Sequence, residues 1–166
     1  MPLRGNVDTR LKKMETLGLD GLILAAAGLN RLGLAHIYRG CVSEADMLPA
    51  VGQGALGLEV RRADQDLQEF LGFLDDPSTR VAVTAERAFL ARLEGGCLVP
   101  VAALGRVAGD SLYLEAMISD LEGRRLLRES RTGPVAEAAK LGTDLAESLL
   151  AQGGREILAE LYGRPV

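Results

Sequence analysis

Between residues 78 and 150 the spacing of apolar side chains switches from a helical period to a strand period and back. Val81, Ala85, Ala88, Phe89 and Leu93 recur as one stripe of a helix over 78–93, with Arg80, Thr84, Arg87 and Arg92 outside it. Val99, Val101, Ala103 and Gly105, then Leu112, Leu114, Ala116 and Ile118, recur at every second position. That alternation predicts two strands with one buried face, joined at Gly109-Asp110. A third strand over 124–131 follows Glu122-Gly123 and is polar enough to be an edge. Pro134 suits a first helical turn, and Val135, Ala138, Ala139, Gly142, Leu145, Ala146, Leu149 and Leu150 share a helix face. Gly153-Gly154 ends that helix, and Ile157, Leu158 and Leu161 predict a short closing one. Residues 77–166 therefore read as a small α+β domain: a three-stranded antiparallel sheet with helices.

Residues 1–76 read differently. A helix over 9–16 is expected behind an N-cap at Asp8 or Thr9. The apolar run 22–27 suits a strand buried on both faces of a parallel sheet, with a short helix starting at Gly28. The other candidate strand is 55–60, and Asp64 to Leu74 is helical. Two or three such strands make no stable, doubly covered sheet. The expectation is thus a partial α/β region, an incomplete, mostly parallel sheet whose partner segment lies on another chain or upstream of Met1.

Composition excludes several classes. Apolar residues make up 48% of 166, enough for a core. No apolar run approaches the roughly 18 residues of a membrane span, and the N-terminus lacks a signal-peptide core. Two cysteines form no disulfide framework, so a reduced, cytoplasmic protein is expected. A net charge of −4 argues against general nucleic-acid binding. Three lysines against sixteen arginines reflect either a GC-rich genome or the planar guanidinium's match to carboxylate and phosphate.

Four features could carry chemistry. Cys97 follows Gly95-Gly96 on the turn between helix and strand, where a thiol is either presented for reaction or packed as a small core residue. Arg4 and Arg10 bracket a helix entry, whose free N–H groups and dipole favour an anion; the plainer reading is solvated charges, pairing with Asp8. The glycine-rich connector 49–55 matches no phosphate-binding spacing and reads as a linker. Glu86 and Glu94 could form an acid pair, but helix-surface solvation is expected of both. One histidine, His36, and an unpartnered Cys41 build neither a metal site nor a catalytic triad.

Taken in series, RGNVDTRLKK (4–13), DGLILAAAGLNRLGL (20–34), LPAVGQGALGLE (48–59), TAERAFLARLEGGCLVP (84–100) and LAESLLAQGGREILAELYG (145–163) resemble hydroxymethylbilane synthase, or porphobilinogen deaminase. That family joins four porphobilinogen units into a linear tetrapyrrole and releases ammonia at each step. The resemblance implies a dipyrromethane cofactor held by a thioether at Cys97, with Arg4 and Arg10 binding its acetate and propionate groups. It gives the connector a hinge reading between domains. Leu98 stands where the family commonly has glutamine.

The family protein is about twice this length, and its catalytic aspartate belongs to the half with no counterpart here. The resemblance thus implies no catalytic residue in this chain beyond the Cys97 tether, and no activity without a separate N-terminal half. The other reading is a non-catalytic module that binds anions or pyrroles, or serves as an interaction surface.

Overall fold

The computed structural model describes residues 3–93 and 100–163. The chain divides into two compact units, 1–43 and 44–166. The second unit contains a three-stranded antiparallel sheet in the order β1-β2-β3: β1 is Val101–Ala108, β2 is Ser111–Ser119 and β3 is Leu126–Pro134. Ala108 pairs with Ser111 across the Gly109-Asp110 turn, where Gly109 takes a positive φ of 58°. Ser111 pairs with Pro134 at the same end of the sheet. The central strand bears the alternation most clearly, with Leu112, Leu114, Ala116 and Ile118 fully buried.

The helices of this unit are α3 (Gln65–Leu71, continued by a 3-10 turn at Gly72–Leu74), α4 (Pro77–Arg92), α5 (Ala138–Leu149) and α6 (Arg155–Tyr162). Asp76 caps α4 by accepting from the Thr79 N–H at 2.7 Å, and Pro77 occupies the first turn, where its missing N–H costs nothing. Phe89 of α4 and Leu93, which caps its C-terminus, join Leu145, Ala146 and Leu149 of α5 in one core with the buried face of β2. Helices α4 and α5 approach closely because position 142 is glycine: a Cβ there would lie 2.1 Å from the Ala85 carbonyl oxygen. After α5 the helix widens into a π-type turn over Leu150–Gly154, and Gly153 (φ 111°) turns the chain into α6. Pro134 closes β3 rather than opening a helix, and a 3-10 turn over Val135–Glu137 leads into α5.

Outside the core, ion pairs fasten the loops. Asp120 accepts from the backbone N–H groups of Arg124 and Arg125 and from the Arg125 guanidinium, which also grips Glu160 of α6. Segment 44–52 is tied to the same unit: Glu44 pairs with Arg106, and the carbonyls of Glu44 and Ala45 accept from Arg128.

The first unit holds α1 (Val7–Thr16) and α2 (Ala26–Arg31). Its helix cap is Asn6, upstream of the expected position: Asn6 Oδ1 accepts from both the N–H (2.9 Å) and the hydroxyl (2.6 Å) of Thr9. The expected partial parallel sheet is not confirmed, for no parallel pairing forms among the described residues. Residues 22–25 belong to no strand, and α2 takes in Ala26 and Ala27. Residues 55–60 likewise form none, with Leu56 92% exposed. An extended apolar run becomes a strand only when another strand satisfies its N–H and C=O groups.

Candidate functional site

Helix α1 begins at Val7 because Asn6 supplies the cap and the first intrahelical bond runs from the Arg10 N–H to the Asn6 carbonyl. The N–H groups of Val7 and Asp8 are left without an acceptor among the described residues. Arg4 and Arg10 are brought to this same turn. Arg10 Nε donates to the Gly5 carbonyl at 2.8 Å, which fixes the stem of the side chain and leaves its terminal nitrogens available. Lys13 Nζ donates to the Arg4 carbonyl at 3.0 Å.

No ion pair neutralises either arginine among the described residues, so the expected partnership with Asp8 does not form. An open groove of about 520 Å³ runs beside the helix, lined by Leu3, Arg4, Thr9, Lys12, Lys13, Thr16 and Leu17. Arg4 opens onto it together with two lysines; Arg10 is not among its lining residues. The chemistry of this end of the first unit is that of an anion cradle: cations, two free N–H groups and the positive end of a helix dipole.

Cys97 and its glycine turn lie outside the described residues, as does Glu94. His36 and Cys41 are both exposed, and no group of three His, Cys, Asp or Glu is placed to hold a metal among the described residues. No helix is long and apolar enough to cross a membrane among the described residues.

Glu86 departs from expectation. It is buried, 5% exposed, and its two carboxylate oxygens accept the Gly52 N–H at 2.7 Å and the Gly105 N–H at 2.8 Å. The signal was present in the sequence: Ala82, Ala85, Glu86, Phe89 and Leu93 keep the i, i+3, i+4, i+7 spacing of one face. An acid on such a face must find donors or lose its charge. Lys12 and Lys13 were equally visible as neighbours of Arg10, but only the folded helix turns them towards the groove that Arg4 lines.

Comparison with known proteins places these features. Residues 1–69 match the family model described as porphobilinogen deaminase, dipyromethane cofactor binding domain, and residues 80–151 match the porphobilinogen deaminase C-terminal domain. A porphobilinogen deaminase of Geobacter sulfurreducens is 53% identical over 164 residues, covering 99% of this chain and 52% of the relative. That of Syntrophus aciditrophicus is 50% identical over 166 residues, covering 99% of this chain and 54% of the relative. The chain thus spans about half the length of the curated relatives it matches. With two consecutive domain models of one family matched in order, and half of all positions shared with such relatives along its whole length, the chain belongs to the porphobilinogen deaminase family.

Proposed function

We propose that this chain supplies the C-terminal part of a hydroxymethylbilane synthase, which polymerises porphobilinogen into a linear tetrapyrrole and releases ammonia. The observation that carries the reading is the pair of family matches, one of them to the cofactor-binding domain, over a chain whose Arg4 and Arg10 guanidiniums carry no acidic partner among the described residues. The family models end at 69 and resume at 80, which supports a boundary near residue 77 between a cofactor-binding part and a C-terminal domain.

The donor set fits a dipyrromethane, whose pyrroles carry acetate and propionate groups. Arg4 and Arg10 would take those carboxylates, helped by the free N–H groups at the start of α1. Gly5 and Asn6 hold the turn that presents them. Cys97 would hold the group through a thioether, its sulfur bonded to a pyrrole methylene carbon. When bound, the group supplies the pyrrole terminus to which substrate units are added.

In this reading the chain alone lacks the half that completes the active site, and porphobilinogen turnover requires a polypeptide equivalent to it. The test is intact-mass measurement and a turnover assay on the 166-residue chain, alone and co-expressed with the remaining half of a relative. The chain alone is expected to turn over no porphobilinogen and to carry little or no adduct. Co-expression is expected to give turnover and a dipyrrole mass increment that disappears in Cys97→Ser and falls in Arg10→Ala. Turnover by the chain alone overturns the requirement for a second part. Absence of both adduct and turnover in the co-expressed pair overturns the function.

A further inference from the structure

The glycine connector reads in sequence as a linker, and its resemblance suggests a hinge. Its contacts are those of neither. Gly52, at a φ of 71°, turns its N–H into the buried carboxylate of Glu86, whose other oxygen holds the Gly105 N–H of β1. One side chain on α4 therefore ties the connector to the sheet. The residues around this bond are seated as well: Leu48 is 5% exposed and Val51 packs against the core of the unit. Upstream, Arg128 holds the carbonyls of Glu44 and Ala45. Downstream the character changes at once. Leu56 and Leu58 are 92% and 62% exposed, and residues 56–60 make no hydrogen bond among the described residues.

We propose that Glu86 is a latch. Its carboxylate clips residues 50–53 to α4 and β1, so that this stretch of the connector moves with them and the loosely held stretch of the second unit lies at 54–60. A carboxylate is required because two N–H groups converge on one side chain. A glutamine can accept with its single oxygen, but its NH₂ then faces the second N–H, donor against donor. Burial of the Glu86 side chain makes the mismatch expensive. The proposal stands on the geometry of the second unit and is independent of the tetrapyrrole reading.

Amide hydrogen exchange on the full 166-residue chain, resolved to single residues, tests it. In the wild type, the Gly52 amide is expected to exchange at least about tenfold more slowly than amides 56–60. In Glu86→Gln, protection at Gly52 or Gly105 is expected to fall roughly tenfold or more, with the amides of Leu114 and Ile118 unchanged. Arg128→Met removes the upstream fastening and is expected to leave Gly52 protected. The latch is overturned if wild-type Gly52 exchanges as fast as 56–60, if Glu86→Gln changes neither glycine, or if Arg128→Met releases Gly52 as fully as Glu86→Gln. Should Glu86→Gln not fold, the other two proteins carry the test: slow Gly52 exchange in both upholds the latch, and fast exchange in either overturns it.

Discussion

The two units solve the same problem, satisfying a backbone and hiding apolar surface, by different means. The second builds a core: α4 and α5 cover a sheet whose central strand buries four side chains completely. The first builds local order. Helix α1 buries no residue and is held by its Asn6 cap and by side chains folded back onto its entry turn. Leu29 is the one buried apolar residue among those described in 3–43, while Ile23 is 66% exposed. A ten-residue helix with no buried face is marginal in water, because nucleation consumes most of what its hydrogen bonds return. The comparison teaches that the second unit is stabilised by packing, whereas the first presents polar groups and apolar surface that packing has not claimed.

The sharpest way to break that contrast is truncation of one apolar side chain in each unit. Leu114→Ala, fully buried on β2, is expected to cost about 2–5 kcal/mol in denaturant unfolding of the second unit. Ile23→Ala, in the first, is expected to stay within about 0.5 kcal/mol. Equal effects would show that residues 3–43 have a core after all. A finer contrast uses glycine. Gly142→Ala drives a Cβ into the α4 backbone and is expected to cost about 1–3 kcal/mol. Gly28→Ala meets nothing within 4 Å in α2 and is expected to stabilise that helix by roughly 0.5–1 kcal/mol. Thermal melts and helical circular dichroism read both, and a common sign would sink the distinction.

The smallest expected effect is on the acid side. Burial alone would raise the Asp120 carboxyl, but the N–H groups of Arg124 and Arg125 and the Arg125 guanidinium outweigh it and hold the group below its ordinary value. Glu160 is also held low, first by its hydrogen bonds from Arg125. A depressed carboxylate binds its proton less readily when folded than when unfolded. Its contribution is therefore full above the unfolded value, about pH 4, and is lost as pH falls through the folded one. Urea midpoints measured between about pH 5 and pH 2 are expected to fall less steeply for Asp120→Asn than for the wild type. Parallel slopes would remove Asp120 from the account.

How much of this was legible in the residues varies with how local the cause is. The three strands and the helices over 77–92, 138–149 and 155–162 follow from the period of their apolar positions, and Asp76-Pro77 marks a helix start by itself. The run 22–27 pairs with no strand among the described residues, because β-like composition describes a surface suited to a sheet and does not supply the neighbouring strand. Arg4 and Arg10 were readable as a pair across one turn, since only five residues, the cap Asn6 among them, separate them. The helix face of Glu86 was readable too, but the donors that meet it there were not, because they are 34 and 19 positions away in sequence.

The order of amino acids alone thus determined the period, the caps and the family motifs, all of which depend on neighbours within a few positions. Only the tertiary structure decided that Gly142 brings two helices into backbone contact, that two backbone N–H groups converge on the acid of α4, and that part of a glycine-rich linker is fastened down. The physical reason is that burial and hydrogen-bond satisfaction are properties of what surrounds a group, and the surroundings of Glu86 are assembled from three distant stretches of chain.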